Sequence, residues 1–213
     1  MTDYVIIILV AYLLGSVPWG YLIPRLLRGI DIRQYGSGNI GMANVLRTVG
    51  GALASLVLLL DVGKGALSVL IAWWLTGHSP VPEVVAGFMA LIGHDYPVFL
   101  KFKGGRGVAT GLGCTFVMAP YVALIASGAF TLIVLRSRYI SLGSVAAAAI
   151  APALFCVFAA FGMYPWIYLY FMGIGGAIVI YQHRGNIKRL IQGTERKVGE
   201  PSVTAEPTDA KGA

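Results

Sequence analysis

Long apolar runs alternate with short polar segments along the whole chain. The runs are Tyr4 to Ile23, Gly51 to Leu75, Val84 to Leu100, Val108 to Leu135, Tyr139 to Phe161 and Pro165 to Tyr181. At 1.5 Å of rise per residue, a run of about 20 residues crosses the hydrocarbon core of a bilayer. A backbone in lipid must satisfy its own polar groups, and helices do so within one segment. The pattern therefore predicts an all-α, polytopic membrane helical bundle.

Composition narrows this further. Of 213 residues, 57% are apolar and only 12% are charged, against about 25% charged in a soluble domain. A soluble globular enzyme, a disordered chain and a disulfide-stapled secreted domain are all excluded. Glycine is abundant, at 28 residues, as expected where membrane helices approach closely. Cys114 and Cys156 sit in apolar stretches and read as small core residues. The opening Met-Thr-Asp lacks a basic n-region, so the first run reads as a retained span and not a signal peptide. Residues 1–198 are expected to form a single transmembrane domain. Residues 199–213, rich in Pro, Glu, Thr and Ala, are expected to be a disordered cytoplasmic tail.

The net charge of +7 would suggest nucleic acid in a soluble chain. Here the cations lie between apolar runs, which points to a membrane surface or an anionic substrate and to no nucleic-acid partner. Of the 16 Lys and Arg, four lie between Arg25 and Arg47, three between Lys101 and Arg106, and two at Arg136 and Arg138. Six follow Tyr181, and Lys64 lies inside a run. Connectors 77–83 and 162–165 have none. The positive-inside rule places every basic segment in the cytoplasm. The run 108–135 must then leave and return on one side. It is too short for two crossings, so it is expected to be a broken pair of short helices hinged at Ala119-Pro120. The expectation is seven helices, five full spans plus two short ones, with the N-terminus outside and the C-terminus cytoplasmic.

Four polar clusters carry candidate chemistry, all on the cytoplasmic side of this topology. The first runs from Gly36 through Ser37, Gly38 and Asn39 to Asn44, with Arg47 after it. Closely spaced glycines let backbone N–H groups approach an anion, and Arg supplies a planar fork suited to phosphate. The second is Asp61-Val-Gly-Lys64, inside a span. Ionisable residues there point to function, although an i,i+3 pair also serves as mutual neutralisation. The third ends a span at His94 and Asp95. It continues through Lys101 and Lys103 to Gly104, Gly105 and Arg106, a second candidate anion nest. Lys101 and Lys103 equally suit snorkelling to lipid phosphates. The fourth is His183 and Asn186, one helical turn apart, with Ser141 at the same membrane face. Together these groups offer cations, amides and hydroxyls to one or two phosphates, beside an apolar arm. No metal-ligand cluster is visible.

The ordered motifs resemble the bacterial acyl-phosphate:glycerol-3-phosphate acyltransferase family, the PlsY type. They are Gly36-Ser-Gly-Asn-Ile-Gly-Met-Ala-Asn44 with Arg47, Asp61-x-x-Lys64-Gly65, and Gly93-His94-x-x-Pro97 through Gly-Gly-Arg106-Gly to Thr110. The last is His183-Arg-x-Asn186 through Gly193-Thr-Glu195. The likeness covers residues 1–197. It implies a multi-pass enzyme of the bacterial inner membrane with its active site on the cytoplasmic face. That enzyme moves a fatty acyl group from acyl phosphate to the 1-hydroxyl of sn-glycerol 3-phosphate, giving lysophosphatidic acid and phosphate without a cofactor. By resemblance, Ser37, Arg47, His183 and Asn186 line the substrate pocket, and the cation of the Gly-Gly-x-Gly loop holds phosphate. The family usually has Lys there, and this chain has Arg106. It also has Met42-Ala43-Asn44 in place of the usual Ala-Thr-Asn.

Acyltransferases using acyl-CoA or acyl carrier protein carry His-x4-Asp. His78, His94 and His183 all lack an Asp five residues on, in keeping with an acyl-phosphate donor. A covalent intermediate on Ser37 or Cys114 is the less favoured route. A membrane transporter of a phosphate ester is the alternative function, but it calls for polar sites on both faces, and the outer connectors carry no Lys or Arg.

Overall fold

In a computed structural model, which describes residues 2–200, the chain is all-helical. Helices α1 (Thr2–Ser16) and α2 (Trp19–Arg28) form one span bent by 41°. The bend falls at Val17-Pro18, where proline cannot continue the hydrogen-bond ladder. Lys64 answers the break. Its Nζ donates to the Val17 carbonyl at 2.8 Å and pairs with Asp61 Oδ1 at 2.9 Å. A polar group freed within an apolar bundle must find such a partner, and the buried Asp61–Lys64 pair is placed where it supplies one.

Short helix α3 (Met42–Val49) leads into α4 (Gly51–Leu75). Helix α5 (Pro80–Asp95) starts on proline, which suits the first turn because its missing N–H is not needed there. A single turn at Val98–Leu100 extends it. Glycine lets two pairs of helices meet closely. Gly15 of α1 lies against the Ala90 backbone of α5, and Gly93 of α5 lies against Tyr12 of α1. Gly65 of α4 lies against Thr110 of α6 (Val108–Met118).

Helix α7 (Pro120–Ser137) starts at the expected proline hinge, but it is not short. At 18 residues it is long enough to cross a membrane, while α6 has only 11. The expectation of two short helices holds for α6 and fails for α7, which continues past the end of the apolar run at Leu135 through Arg136 and Ser137. Helix α8 (Ile140–Ala160) follows. The last apolar helix, Tyr168–Gln182, is shorter than a usual span. It is built from α9 (Tyr168–Tyr170), a π-helical turn at Phe171–Gly175 and α10 (Gly176–Gln182). Polar helix α11 (Arg184–Ile191) closes the bundle.

Among the described residues, four helices are thus long and apolar enough to cross a membrane, or five with α1 and α2 as one span. The main core cluster lies at the end of the bundle remote from α11, around Phe155, Met118, Phe171 and Tyr168. A second surrounds Ile32, Val45 and Val57 beneath α3. Cys114 and Cys156 are free thiols. Residues 201–213, where most of the expected tail falls, lie outside the described residues.

Candidate active site

The helix packing leaves a cavity of about 630 Å³, running from the α3 and α11 end down between α6, α7, α8 and α10. Ser37, Asn39, Asn44, Arg47, Arg106, Ser141, His183 and Asn186 line its upper part. Residues up to 149 positions apart in sequence meet there. The lower part is apolar, with Leu112, Ala126, Phe130, Ala147, Ala151 and Met172 among its walls.

The first glycine segment is held open by one buried side chain. Asn44, 2% exposed, donates through Nδ2 to the carbonyls of Ile32, Tyr35 and Asn39 at 3.2, 3.0 and 2.9 Å. Its Oδ1 accepts from the Ser37 N–H at 3.0 Å. Asn44 therefore organises the loop and has no donor left for a ligand, while Ser37 remains exposed at the cavity. Gly36 and Gly38 both adopt positive φ, 60° and 68°. Gly36 lines the cavity; Gly38 does not, and its N–H closes a turn on Tyr35. Asn39 links the two glycine segments, its Nδ2 reaching the Gly104 carbonyl at 3.5 Å.

The second segment differs. The N–H groups of Gly104 and Gly105 donate to the carbonyls of Asp95 and His94, at 3.1 and 3.0 Å. They are not free for an anion, and both glycines face a smaller neighbouring cavity of about 370 Å³. Arg106 lines both cavities. His94 lines the main one, with Nδ1 3.7 Å from Asp61 Oδ1. Lys64 does not reach the cavity, and Lys101 and Lys103 stand exposed away from it.

His183, 3% exposed, ends the last apolar helix. Its Nδ1 lies 2.8 Å from the Val179 carbonyl. A carbonyl only accepts, so Nδ1 carries the proton and Nε2 keeps its lone pair. Burial, helped by the positive field of Arg106, pulls the imidazole down to about 4, and it is neutral at ordinary pH.

Sequence reasoning gave no role to Glu195, Arg189 or Arg196. Glu195 is buried and accepts from Ser141 Oγ at 2.8 Å, Asn186 Nδ2 at 2.6 Å and Arg189 Nε at 2.7 Å. Burial raises this carboxyl, but the three donors outweigh it and hold it below the usual range. Arg47 Nη2 donates to the Arg196 carbonyl at 3.0 Å. The segment after α11 thus folds back over the cavity mouth. The signal available was the polar Gly193-Thr-Glu195 that follows the last basic turn.

Four guanidinium groups (Arg47, Arg106, Arg189 and Arg196) line the cavity against two carboxylates, Glu195 and Asp61. Burial lowers the pKa of Arg47 and Arg106, yet a guanidinium is not deprotonated in a protein, so both stay charged. Arg47 Nε and Arg196 Nη1 are buried without a hydrogen-bond partner. Surplus positive charge with spare donors suits an anion with several oxygens.

Comparison with known proteins agrees with this geometry. The family model described as glycerol-3-phosphate acyltransferase matches residues 5–193. A relative from Moorella thermoacetica, glycerol-3-phosphate acyltransferase 2, is 47% identical over 93% of this chain and 100% of its own. One from Thermosynechococcus vestitus is 42% identical over 90% of this chain and 93% of its own. Two crystal structures of PlsY, described as an integral membrane glycerol 3-phosphate acyltransferase, align at 40% identity. The glycerol 3-phosphate form has a TM-score of 0.84 over 92% of this chain and 96% of its own. The lysophosphatidic acid form has 0.82 over 91% and 94%. With the matched family residues enclosing this arginine-rich cavity, the chain belongs to the glycerol-3-phosphate acyltransferase family.

Proposed function

We propose that this enzyme transfers a fatty acyl group from acyl phosphate to the 1-hydroxyl of glycerol 3-phosphate, releasing lysophosphatidic acid and inorganic phosphate. The observation that carries the reading is a single cavity joining an arginine-rich polar mouth to an apolar slot. One substrate has a phosphate and a long chain, the other a phosphate and hydroxyls, and the cavity offers a wall for each.

The chemistry follows from these groups. The 1-hydroxyl attacks the acyl carbonyl, forming a C–O bond. The bond from carbonyl carbon to phosphate oxygen breaks, and phosphate leaves with both electrons. The hydroxyl proton goes to that phosphate, or to the free Nε2 of His183 as the less favoured acceptor. Arg47 and Arg106 offset the charge on the departing phosphate and on the acceptor's phosphate. Ser37, Asn39, His94 and Ser141 serve as positioning groups at the polar end. Asn186 holds Glu195 in place, and Glu195 in turn fixes Arg189.

A covalent enzyme intermediate is disfavoured. Cys114 is fully buried and does not line the cavity. Ser37 has no hydrogen bond to His183 among the described residues. Positive charge gathered at one end of the bundle supports a cytoplasmic site in the bacterial inner membrane, with the N-terminus outside and the C-terminus inside. It also supports reading 1–198 as one transmembrane domain.

The test is to incubate purified protein with dodecanoyl phosphate and glycerol 3-phosphate and to follow phosphate release and lysophosphatidic acid. Acceptor-dependent release is expected. Uptake of glycerol 3-phosphate into proteoliposomes without any product would instead support the transporter reading.

A further inference from the structure

The apolar slot has a closed floor, and its walls end at one level. On α6 the last lining residue is Thr115, on α7 Ala123, on α8 Ala151 and on the π-turn Phe171. The next residues outward on those walls, Met118, Ala119, Phe155 and Tyr168, all belong to one core cluster and are at most 7% exposed. Tyr168 is fixed there, its hydroxyl donating to the buried carboxylate of Glu83 on α5. Phe171 is wedged against Gly87, where an added Cβ would sit 2.9 Å from its ring.

The last apolar helix also departs from α geometry at this level. Phe171, Met172 and Gly175 of its π-helical turn all line the slot. A π-turn adds a residue to a helical turn and re-aims the side chains around it, a distortion found frequently at functional sites. Across from it, α8 presents Ala147, Ala148 and Ala151, which keep the slot open.

We propose, resting on the acyltransferase reading, that Ala151 and the π-turn at Phe171–Gly175 form a stop that sets the longest acyl chain the enzyme accepts. From Ser141 at the polar end to Ala151 is ten residues of helix, or about 15 Å. An extended hydrocarbon built of ~1.5 Å bonds advances about 1.25 Å per carbon, so the slot is roughly twelve carbons deep. A chain reaching the floor gains contact at every methylene. A longer one must bend or displace the close-packed cluster beneath.

The experiment measures kcat/KM for acyl phosphates from octanoyl to stearoyl with wild type and Ala151→Leu. Leucine should move the optimum down by about two carbons. It should cut kcat/KM for the longest accepted donor about tenfold, the scale of a misfit methylene, with the octanoyl donor least affected. Gly175→Ala is the second variant. Its Cβ meets Leu91 and Phe171 at an ordinary 3.6 Å, so it should fold, and it should shift the profile the same way by less. Equal loss at all chain lengths, or an unchanged profile, overturns the stop. Wild-type protein that releases no phosphate from any donor defeats the acyltransferase reading itself, a distinct result.

Discussion

The two glycine segments look alike in sequence and do different work. In the first, Gly36 and Gly38 take left-handed backbone, and Asn44 gathers three carbonyls behind them. The result turns Ser37 outward to the cavity. In the second, Gly104 and Gly105 keep ordinary φ. Glycine is required there by close approach, since a Cβ on Gly105 would fall 2.0 Å from His94 Nε2 and one on Gly104 2.2 Å from the His94 carbonyl oxygen. The first loop displays polar groups. The second is a mount that holds one guanidinium, Arg106, between two cavities. A glycine-rich string therefore does not by itself make an anion nest; that depends on whether its N–H groups are already bonded.

The comparison breaks most sharply at Gly105. Gly105→Ala should abolish activity, by more than about 100-fold, and lower Tm, because the added methyl overlaps a buried imidazole and overpacking costs about 1–3 kcal/mol or more. Phosphate release and thermal unfolding measure both, and near-normal values would mean that the mount is not tight.

Asn44→Ala leaves the Asn39 carbonyl and the Ser37 N–H without a partner, while the Ile32 and Tyr35 carbonyls keep the N–H groups of Tyr35 and Gly38, a loss of about 2–3 kcal/mol. Asn44→Asp should not restore stability, since a carboxylate cannot donate to those carbonyls. Rescue by Asp in a melting experiment would assign the stability to the Ser37 N–H bond alone.

Arg106→Lys keeps the charge on the mount but loses the planar fork. Activity about tenfold down is expected, with Arg106→Ala worse. Equal losses in both would assign the role to shape and not to charge.

Arg106 also acts on His183. In labelled protein the ring should titrate by NMR near 4, and in Arg106→Gln at a higher value. The stability linkage has a definite sign. The folded protein binds this proton less readily than the unfolded chain, whose histidine titrates near 6.5. The contribution is complete above about 6.5 and is lost as pH falls toward about 4. A ring titrating at 6.5 in wild type would remove both statements.

The smallest effect is expected for Lys101→Ala with Lys103→Ala. Both side chains are exposed and outside the cavity, so kcat/KM should change less than about twofold. A large fall would extend the second segment's role beyond Arg106.

Much of the fold was legible because bilayer crossing demands long apolar runs, and their number and polarity show in the chain. The hinge at Pro120 was legible too, since proline removes a donor wherever it falls. The length of α7 was not, because it depends on how far the helix continues past Leu135 before Arg138 takes the left-handed conformation that ends it. Asp61 and Lys64 announced themselves as charges inside a span. That Lys64 serves the broken carbonyl at Val17 required the bend between α1 and α2 to be packed against α4.

The sequence by itself determined the all-helical membrane architecture, the clustering of cations between spans, and Ser37, Arg47, Arg106, His183 and Asn186 as the groups to watch. The first two follow from local composition and spacing, and the five residues from the family motifs that the chain resembles. Only the tertiary structure decided that Asn44, Gly104 and Gly105 brace the site and that Lys101 and Lys103 stand outside it. It also brought Glu195 back into the bundle to bind Ser141 and Asn186. Hydrogen-bond partners across 54 residues of chain are set by how helices pack, and no local pattern encodes which donor a folded backbone has already satisfied.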